Sequence, residues 1–569
     1  MAALSWKSGI SGDWATAYDW SGNAVPLATD DVTINASGAY TITVSVGESA
    51  HSLTLNTAGA DLDVVNRLNI GTTLVATAGT LELDSSGTLN GGTIIAGGAT
   101  MQFDGGTLSG ETWQGPLILG ANASASAVNG LTLTGAIGTG PGTLALTGTN
   151  AAFTLYNGIT MSGSVGSPAT ISVIGQGATL HTYGTTTLDN ATLTLGNVAG
   201  AIAGAGDSLE VDSASTLTLG GGLSLIGVGT GTASVNYPSY FNQNGAIINN
   251  GTMTAGANGA TLLIRTVPGY GGAMTFTNNG ILAASNGGTL TVNSNSFVDN
   301  GAINVGTSSV AQLYAVGVFG TAAAIDIASG GVAHIYGSYS IAGSIAPTGA
   351  GELELDSGGT LNLGTLVAGG AAFDFAGGTL SGVTVRGPLL LGGTNEALTT
   401  TNGLTLTGTG GTGPGTLALT GTNAVLNVVN GFTSGGMPGT LATIDVTGQG
   451  ATLTTSGTTT LDNATLTPRQ QRRRDRRPRR QLGPDGVVDP DSRLRAEPAG
   501  RRQRHGGRGL QPQLLQSGRG DHQRGNHDRR RQRRDAAGTT NPELQRRQPD
   551  LHQRRHDGRR QRRYADDPA

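Results

Sequence analysis

Three carboxylate pairs are the first residues in this sequence whose types and spacing suggest chemistry. They are Glu82/Asp84, Glu210/Asp212 and Glu354/Asp356, in the runs LELD, LEVD and LELD. The members of each pair are two residues apart, so they share one face of a strand. Two carboxyl groups whose environments separate their pKa values would suit glycoside hydrolysis. Acidic rows of this kind also suit weak calcium binding. The same alternation describes a strand with an apolar core face and a solvated acidic face, and that is the reading adopted for all three pairs. Asp30/Asp31 reads as turn and cap chemistry. The body histidines, His51, His181 and His334, look scattered, and no Ser or Thr has a His and a carboxylate beside it to form a triad. A polysaccharide lyase needs a strong base and cations near a substrate carboxylate, yet Arg67, Arg265 and Arg386 are isolated. Thr-x-Thr runs such as LTLTG could form a flat ice-binding face, but Thr is also an ordinary strand former. The calcium-solenoid repeat G-G-x-G-x-D is absent. The expectation is therefore no catalytic residue, no cofactor-binding residue and no metal ligand.

The elements that would carry these residues are short strands. Charged residues make up 12% of the 569 positions and aromatics 4%, while Gly alone accounts for 96 residues. Leu, Val and Ile recur in regular short runs, which argues against a disordered body. From Gly130 to Gly196 the runs GLTLTG, GTLALTG, AAFTLYNG, ATISVIGQG, ATLHTYG, TTTLDN and ATLTLG follow one another roughly every ten positions. Alternation at period two marks half-buried strands, and Gly and Asn supply corners with positive φ. No segment has a convincing helical period.

A longer repeat overlies the short one. PGTLALTGTN at Pro141 returns at Pro414, TTTLDNATLT at Thr185 returns at Thr458, and LELDSSGTLN at Leu81 returns as LELDSGGTLN at Leu353. The offset is 272 to 273 residues throughout. His181 becomes Thr454 in the second copy, as a surface position could and a residue needed in every copy would not. Stacked rungs bury a continuous core that a single rung cannot, and Asn and Thr can form ladders between equivalent positions. This predicts an all-β fold, a parallel β-helix (β-solenoid) with roughly 20–30 residues per rung. Residues 1–78 form an N-terminal Trp-containing cap and first rungs, 79–350 copy 1, 351–467 copy 2, and 468–569 a disordered Arg-rich tail. Trp6, Trp14 and Trp20 read as cap core, with a carbohydrate-stacking platform as the alternative.

The opening W-x-x-G-x-x-G-D-W, then D-W-x-x-G-x-x-P and DDVTI, followed by GAYTITV, SLTLN and GGTIIAGGATMQFDGGTLSG, resembles large bacterial β-strand-repeat surface proteins. These are the autotransporter passengers and filamentous-haemagglutinin-like adhesins. The resemblance covers roughly residues 1–467. It implies a parallel β-helix secreted by, or displayed on, a Gram-negative cell. The chain departs from that pattern in showing neither a Sec signal peptide nor a C-terminal membrane barrel. No Cys is present, so disulfides and thiolate sites are excluded, and no apolar run reaches the length of a membrane span.

The tail looks like another protein. Before Pro468 the chain has 4 basic and 24 acidic residues, a balance of −20; from Pro468 onward it has 29 Arg, no Lys and 13 acidic residues, a balance of +16. A basic arm of this kind could bind nucleic acid, but selection for charge gives no reason to exclude Lys. A frameshift explains the composition. Ala codons GCC-GCC read out of register become CGC-CGC, Arg-Arg. Back-translated and read one base later, PDLHQRRHDGRRQRRYADD at Pro549 encodes a near-copy of MTFTNNGILAASNGGTLTV at Met274. The run from Pro512 likewise encodes a near-copy of PSYFNQNGAIINNGTMTAGANGAT at Pro238. Two collinear matches support a slipped frame just after Thr467, so the tail's charge does not report a specific nucleic-acid partner.

Taken together, these features predict a structural or adhesive secreted or cell-surface protein without catalysis. Its partners would be host or extracellular matrix surfaces, glycans or sibling cells, with edge-to-edge self-association at an open rung. A polysaccharide-active β-helix enzyme and a nucleic-acid binder acting through the tail are the alternatives. The enzyme would require carboxylates clustered on one solenoid face.

Overall fold

The structure is a computed structural model and describes residues 2–469 apart from 165, 197–206, 213, 236–244, 257–258 and 267–273. The expected disorder of the Arg-rich tail lies outside the described residues, which fall within the unit Met1–Asp475. They form a parallel β-helix with three strands per rung along most of its length. In one column Ala152–Tyr156 pairs with Thr179–Tyr183, which pairs with Ser208–Val211. A second column runs through Thr216–Leu219, Ala246–Asn249, Thr275–Asn278 and Phe297–Asp299. The third is a sheet of ten strands from Pro116–Leu119 to Thr348–Gly349. Rung length varies: the stacked pair Asn69 and Asn90 is 21 residues apart, and the pair Asn122 and Asn150 is 28 apart. No helix among the described residues is long and apolar enough to cross a membrane.

Period two explains the core. In Ala191–Leu195 (ATLTL) the alanine and leucines are buried and the threonines are not. Leu193 packs on Ile171 of the rung before it and Leu225 of the rung after it, and all three are fully buried. The long repeat has a structural counterpart as well. Asn122 and Asn150, both at positive φ, stack through a side-chain hydrogen bond of 3.2 Å; Asn395 and Asn423 in copy 2 do the same at 3.0 Å. The three N-terminal tryptophans are buried: Trp20 packs edge-on against Trp6 and Trp14, and its indole N–H donates to the Trp14 carbonyl at 2.7 Å. A carbohydrate-stacking platform is therefore not what they form.

One ladder runs through the interior. Asn249 donates to Asn278, and Asn278 donates to Asp299, each at 2.7 Å. All three residues are fully buried, and burial pushes the Asp299 carboxyl up from 3.8 to about 6. A folded pKa above the unfolded one means that the folded chain holds a proton that the unfolded chain releases, so stability falls as pH rises between those values. That window corresponds to about 3 kcal/mol. Asp299→Asn keeps the acceptor for Asn278, and its amide N–H takes the place of the carboxyl O–H that the folded acid carries at low pH. It is expected to raise stability by about 3 kcal/mol at pH 7 and to leave it unchanged below pH 4. Urea denaturation at the two pH values checks this, and an equal shift at both would refute it.

Candidate functional site

The histidines that look scattered in the sequence each stand beside a carboxylate on another rung. In the parallel register His181 faces Glu210, and His334 faces Glu354. His181 Nδ1 lies 2.8 Å from Asp212 Oδ2 and 3.3 Å from Glu210 Oε2. His334 Nδ1 lies 3.1 Å from Asp356 Oδ2 and 3.2 Å from Glu354 Oε2. In each cluster the potential ligand atoms of the imidazole and both carboxylates lie within 4.8 Å of one another. His51 has a simpler partner: its Nδ1 lies 2.9 Å from Asp31 Oδ1, which also accepts from the Ser52 hydroxyl at 2.6 Å.

Each cluster is completed by a pair of tyrosines. Tyr156 on the preceding rung stacks on Tyr183 at 4.9 Å and 17°, and Tyr314 stacks on Tyr336 at 4.5 Å and 6°. Burial and then the neighbouring Asp212 charge raise the Tyr183 phenol, and burial and then the Asp356 charge raise that of Tyr336. The strands that carry these residues place Leu180, Leu209 and Val211 in the core in one cluster, and Ala333, Ile335, Leu353 and Leu355 in the other. The intervening polar residues are thereby held on the outer face, with the rung-to-rung hydrogen bonds fixing which polar residue sits over which. Both clusters lie on the same outer column of strands, linked in register through Ser208, Ser234, Leu263, Thr291, Gln312 and His334.

This corrects the solvated-face reading for two of the acidic pairs. The Asp212 side chain is only 7% exposed and that of Glu210 12%, because His181 and Tyr183 of the rung beneath cover them. Burial raises the Glu210 carboxyl, with the His181 charge and the Ser208 hydroxyl opposing it. Glu354 is raised by burial and by the Asp356 charge. For His181, burial lowers the pKa, but the Asp212 hydrogen bond and the Glu210 and Asp212 charges outweigh it and hold the imidazole above its ordinary value.

The remaining candidates fall elsewhere. Glu82, Asp84 and Asp104 form a cluster of carboxylates alone. Burial and then the charges of Asp61, Asp63, Asp84 and Asp104 push Glu82 up. Asp30 accepts the backbone N–H groups of Ala2 and Leu27, as expected of cap chemistry, and these bonds lower its pKa. Asp31 instead belongs to the His51 pair. Arg67 faces Thr88, Arg265 faces Asn293, and Arg386 Nε donates to the Thr409 carbonyl. An apolar cavity of about 240 Å³ lies among Leu366, Phe373, Val385, Pro388 and Leu389, and no titratable group lines it.

Sequence reasoning missed the clusters although a signal was present. H-x-Y-G occurs at His181–Gly184 and again at His334–Gly337, and each is followed by L-E-[V/L]-D, at Leu209–Asp212 and Leu353–Asp356. Compared with known proteins, the chain matches no protein-family model and no curated sequence.

Proposed function

We propose that this chain is a structural, display-type β-solenoid, secreted or held at a cell surface. It would act as a stiff rod that presents small polar side chains to glycans, matrix or sibling cells without catalysing a reaction. The observation that carries this reading is the stack itself. Parallel pairing runs rung upon rung from Ala3 to Pro468 over a core of Leu, Val, Ile and Ala, and the outward positions are mainly Thr, Ser, Asn and Gly. Such a stack resists bending because each rung is hydrogen-bonded along its strands to the rungs on either side.

A glycan-active enzyme is the second reading, and one observation favours it. Two Glu-x-Asp pairs are each grouped with His and a stacked Tyr pair on one face. Incubation of the chain with neutral and acidic polysaccharides separates the two readings. Retention on immobilised polysaccharide without release of new reducing or unsaturated ends is the result expected of a display rod. Release of new ends that is abolished by Glu210→Gln together with Glu354→Gln would replace it with the enzyme.

A further inference from the structure

We propose that the chain carries two equivalent divalent transition-metal sites, one formed by His181, Glu210 and Asp212 and the other by His334, Glu354 and Asp356. Three observations carry this. The first is the donor set. One imidazole nitrogen and two carboxylates suit first-row divalent ions of the Zn²⁺ class, and their two negative charges match the charge of the ion. A carboxylate row without imidazole, as at Glu82, Asp84 and Asp104, lacks the nitrogen and is not included.

The second observation is the spacing. With metal–ligand bonds of about 2.0–2.1 Å, neighbouring ligand atoms lie about 3.3 Å apart in a tetrahedral shell and about 2.9 Å apart in an octahedral one. The nitrogen-to-oxygen distances are 2.8 and 3.3 Å in the first cluster, and 3.1 and 3.2 Å in the second. The ligand atoms of each site, the two carboxylate oxygens included, lie within 4.8 Å of one another, so an ion can take the place of the hydrogen bond between imidazole and carboxylate by rotation of these side chains, once the Nδ1 proton has left. Tyr183 and Tyr336 each stand beside one ligand carboxylate, where a phenol can give the outer support that metal-binding carboxylates require.

The third observation is recurrence that the long repeat does not explain. The 273-residue offset carries His181 to Thr454, not to His334. The rungs also differ in length: the His181–Asp212 contact spans 31 residues and the His334–Asp356 contact 22. Two stretches of different length nevertheless place the same five side chains in the same relation, with Tyr on one rung, His-x-Tyr on the next and Glu-x-Asp on the third. His51, which has only Asp31 as a carboxylate partner, lies outside this pattern.

The inference holds whether or not the rod is adhesive, and Zn²⁺ alone tests it. The full chain is dialysed against micromolar Zn²⁺ at neutral pH and the bound metal is counted. His181→Ala and His334→Ala are each expected to lose one equivalent relative to the parent, the double variant two, and His51→Ala none. Comparison with the parent removes any contribution from the five tail histidines, which all variants share. Co²⁺ in place of Zn²⁺ should give a visible ligand-field spectrum that falls by half in each single variant and disappears from the two sites in the double variant. If a His variant loses its strand circular dichroism, Glu210→Gln and Glu354→Gln replace it, with the same expected losses. A double variant that binds as much metal as the parent, or a parent that binds none, overturns the proposal.

Discussion

Replacing Glu111 by Gln is expected to make the chain more stable by about 3 kcal/mol at pH 7 and to flatten its stability between pH 5 and 8. Glu111 is 2% exposed. Burial pushes its carboxyl from 4.5 up to about 8, and the backbone N–H groups of Ser109 and of Glu111 itself oppose this only in part. Ser109 N–H donates to Oε1 at 2.6 Å, while Oε2 is buried without a partner. Because the folded pKa is the higher one, the folded chain holds a proton that the unfolded chain has released across that window. The cost of holding it grows as pH rises from 4.5, at about 1.4 kcal/mol per pH unit. Gln carries no proton to take up and still accepts from Ser109. The second copy has already made an apolar choice here: with the 272-residue offset, Val383 stands at this position and is 1% exposed. Denaturation midpoints of parent and Glu111→Gln at pH 4, 7 and 9 check the prediction. The gain should vanish at pH 4 and be largest at pH 9, and an identical pH slope in both chains would refute it.

Gly148→Ala should have the opposite effect and cost about 3 kcal/mol or more. Gly120, Gly148 and Gly175 stack at one corner of three successive rungs. A Cβ on Gly148 would lie 1.9 Å from the Gly120 carbonyl carbon, and one on Gly175 would lie 2.0 Å from the Gly148 carbonyl oxygen. Both obstacles are backbone, and the rungs are tied there by the Gly148 N–H, which donates to the Leu119 carbonyl at 3.3 Å. Neither rung can yield without breaking ladder hydrogen bonds on both sides. Copy 2 repeats the arrangement, since a Cβ on Gly421 would meet the Gly393 carbonyl oxygen at 1.9 Å. Gly120→Ala is the control, because nothing lies within 4 Å of the Cβ it would add. Thermal unfolding and limited proteolysis should show Gly148→Ala strongly impaired and Gly120→Ala close to the parent. Equal behaviour of the two would show that the close stacking is relieved at little cost.

The strands, the corners and the repeat were legible in the sequence for local reasons. Alternation in a run such as ATLTL depends only on neighbouring residues, because successive side chains of a strand point to opposite faces. Asn122, Asn150, Asn395 and Asn423 take positive φ because their short polar side chains tolerate it. The tryptophans of the cap were legible for a similar reason, since large aromatic side chains are seldom left outside when a core is available. What could not be read was which rung residue sits on which. His181 meets Glu210 across 29 positions, and His334 meets Glu354 across 20. Rung length is set by loops that show no period, so no fixed spacing predicts these meetings. A slip of one residue would turn every side chain of the strand to the opposite face.

The sequence by itself therefore determined the period, the apolar interior, the polar exterior and the duplication, all of which follow from residues close together along the chain. Only the tertiary structure decided that His181 and His334 each join a Glu, an Asp and a stacked Tyr pair, and that Glu111 and Asp299 are acids buried in the core. The physical reason is that the hydrogen-bond ladder between rungs fixes the register, and register alone brings together side chains 20 to 31 residues apart.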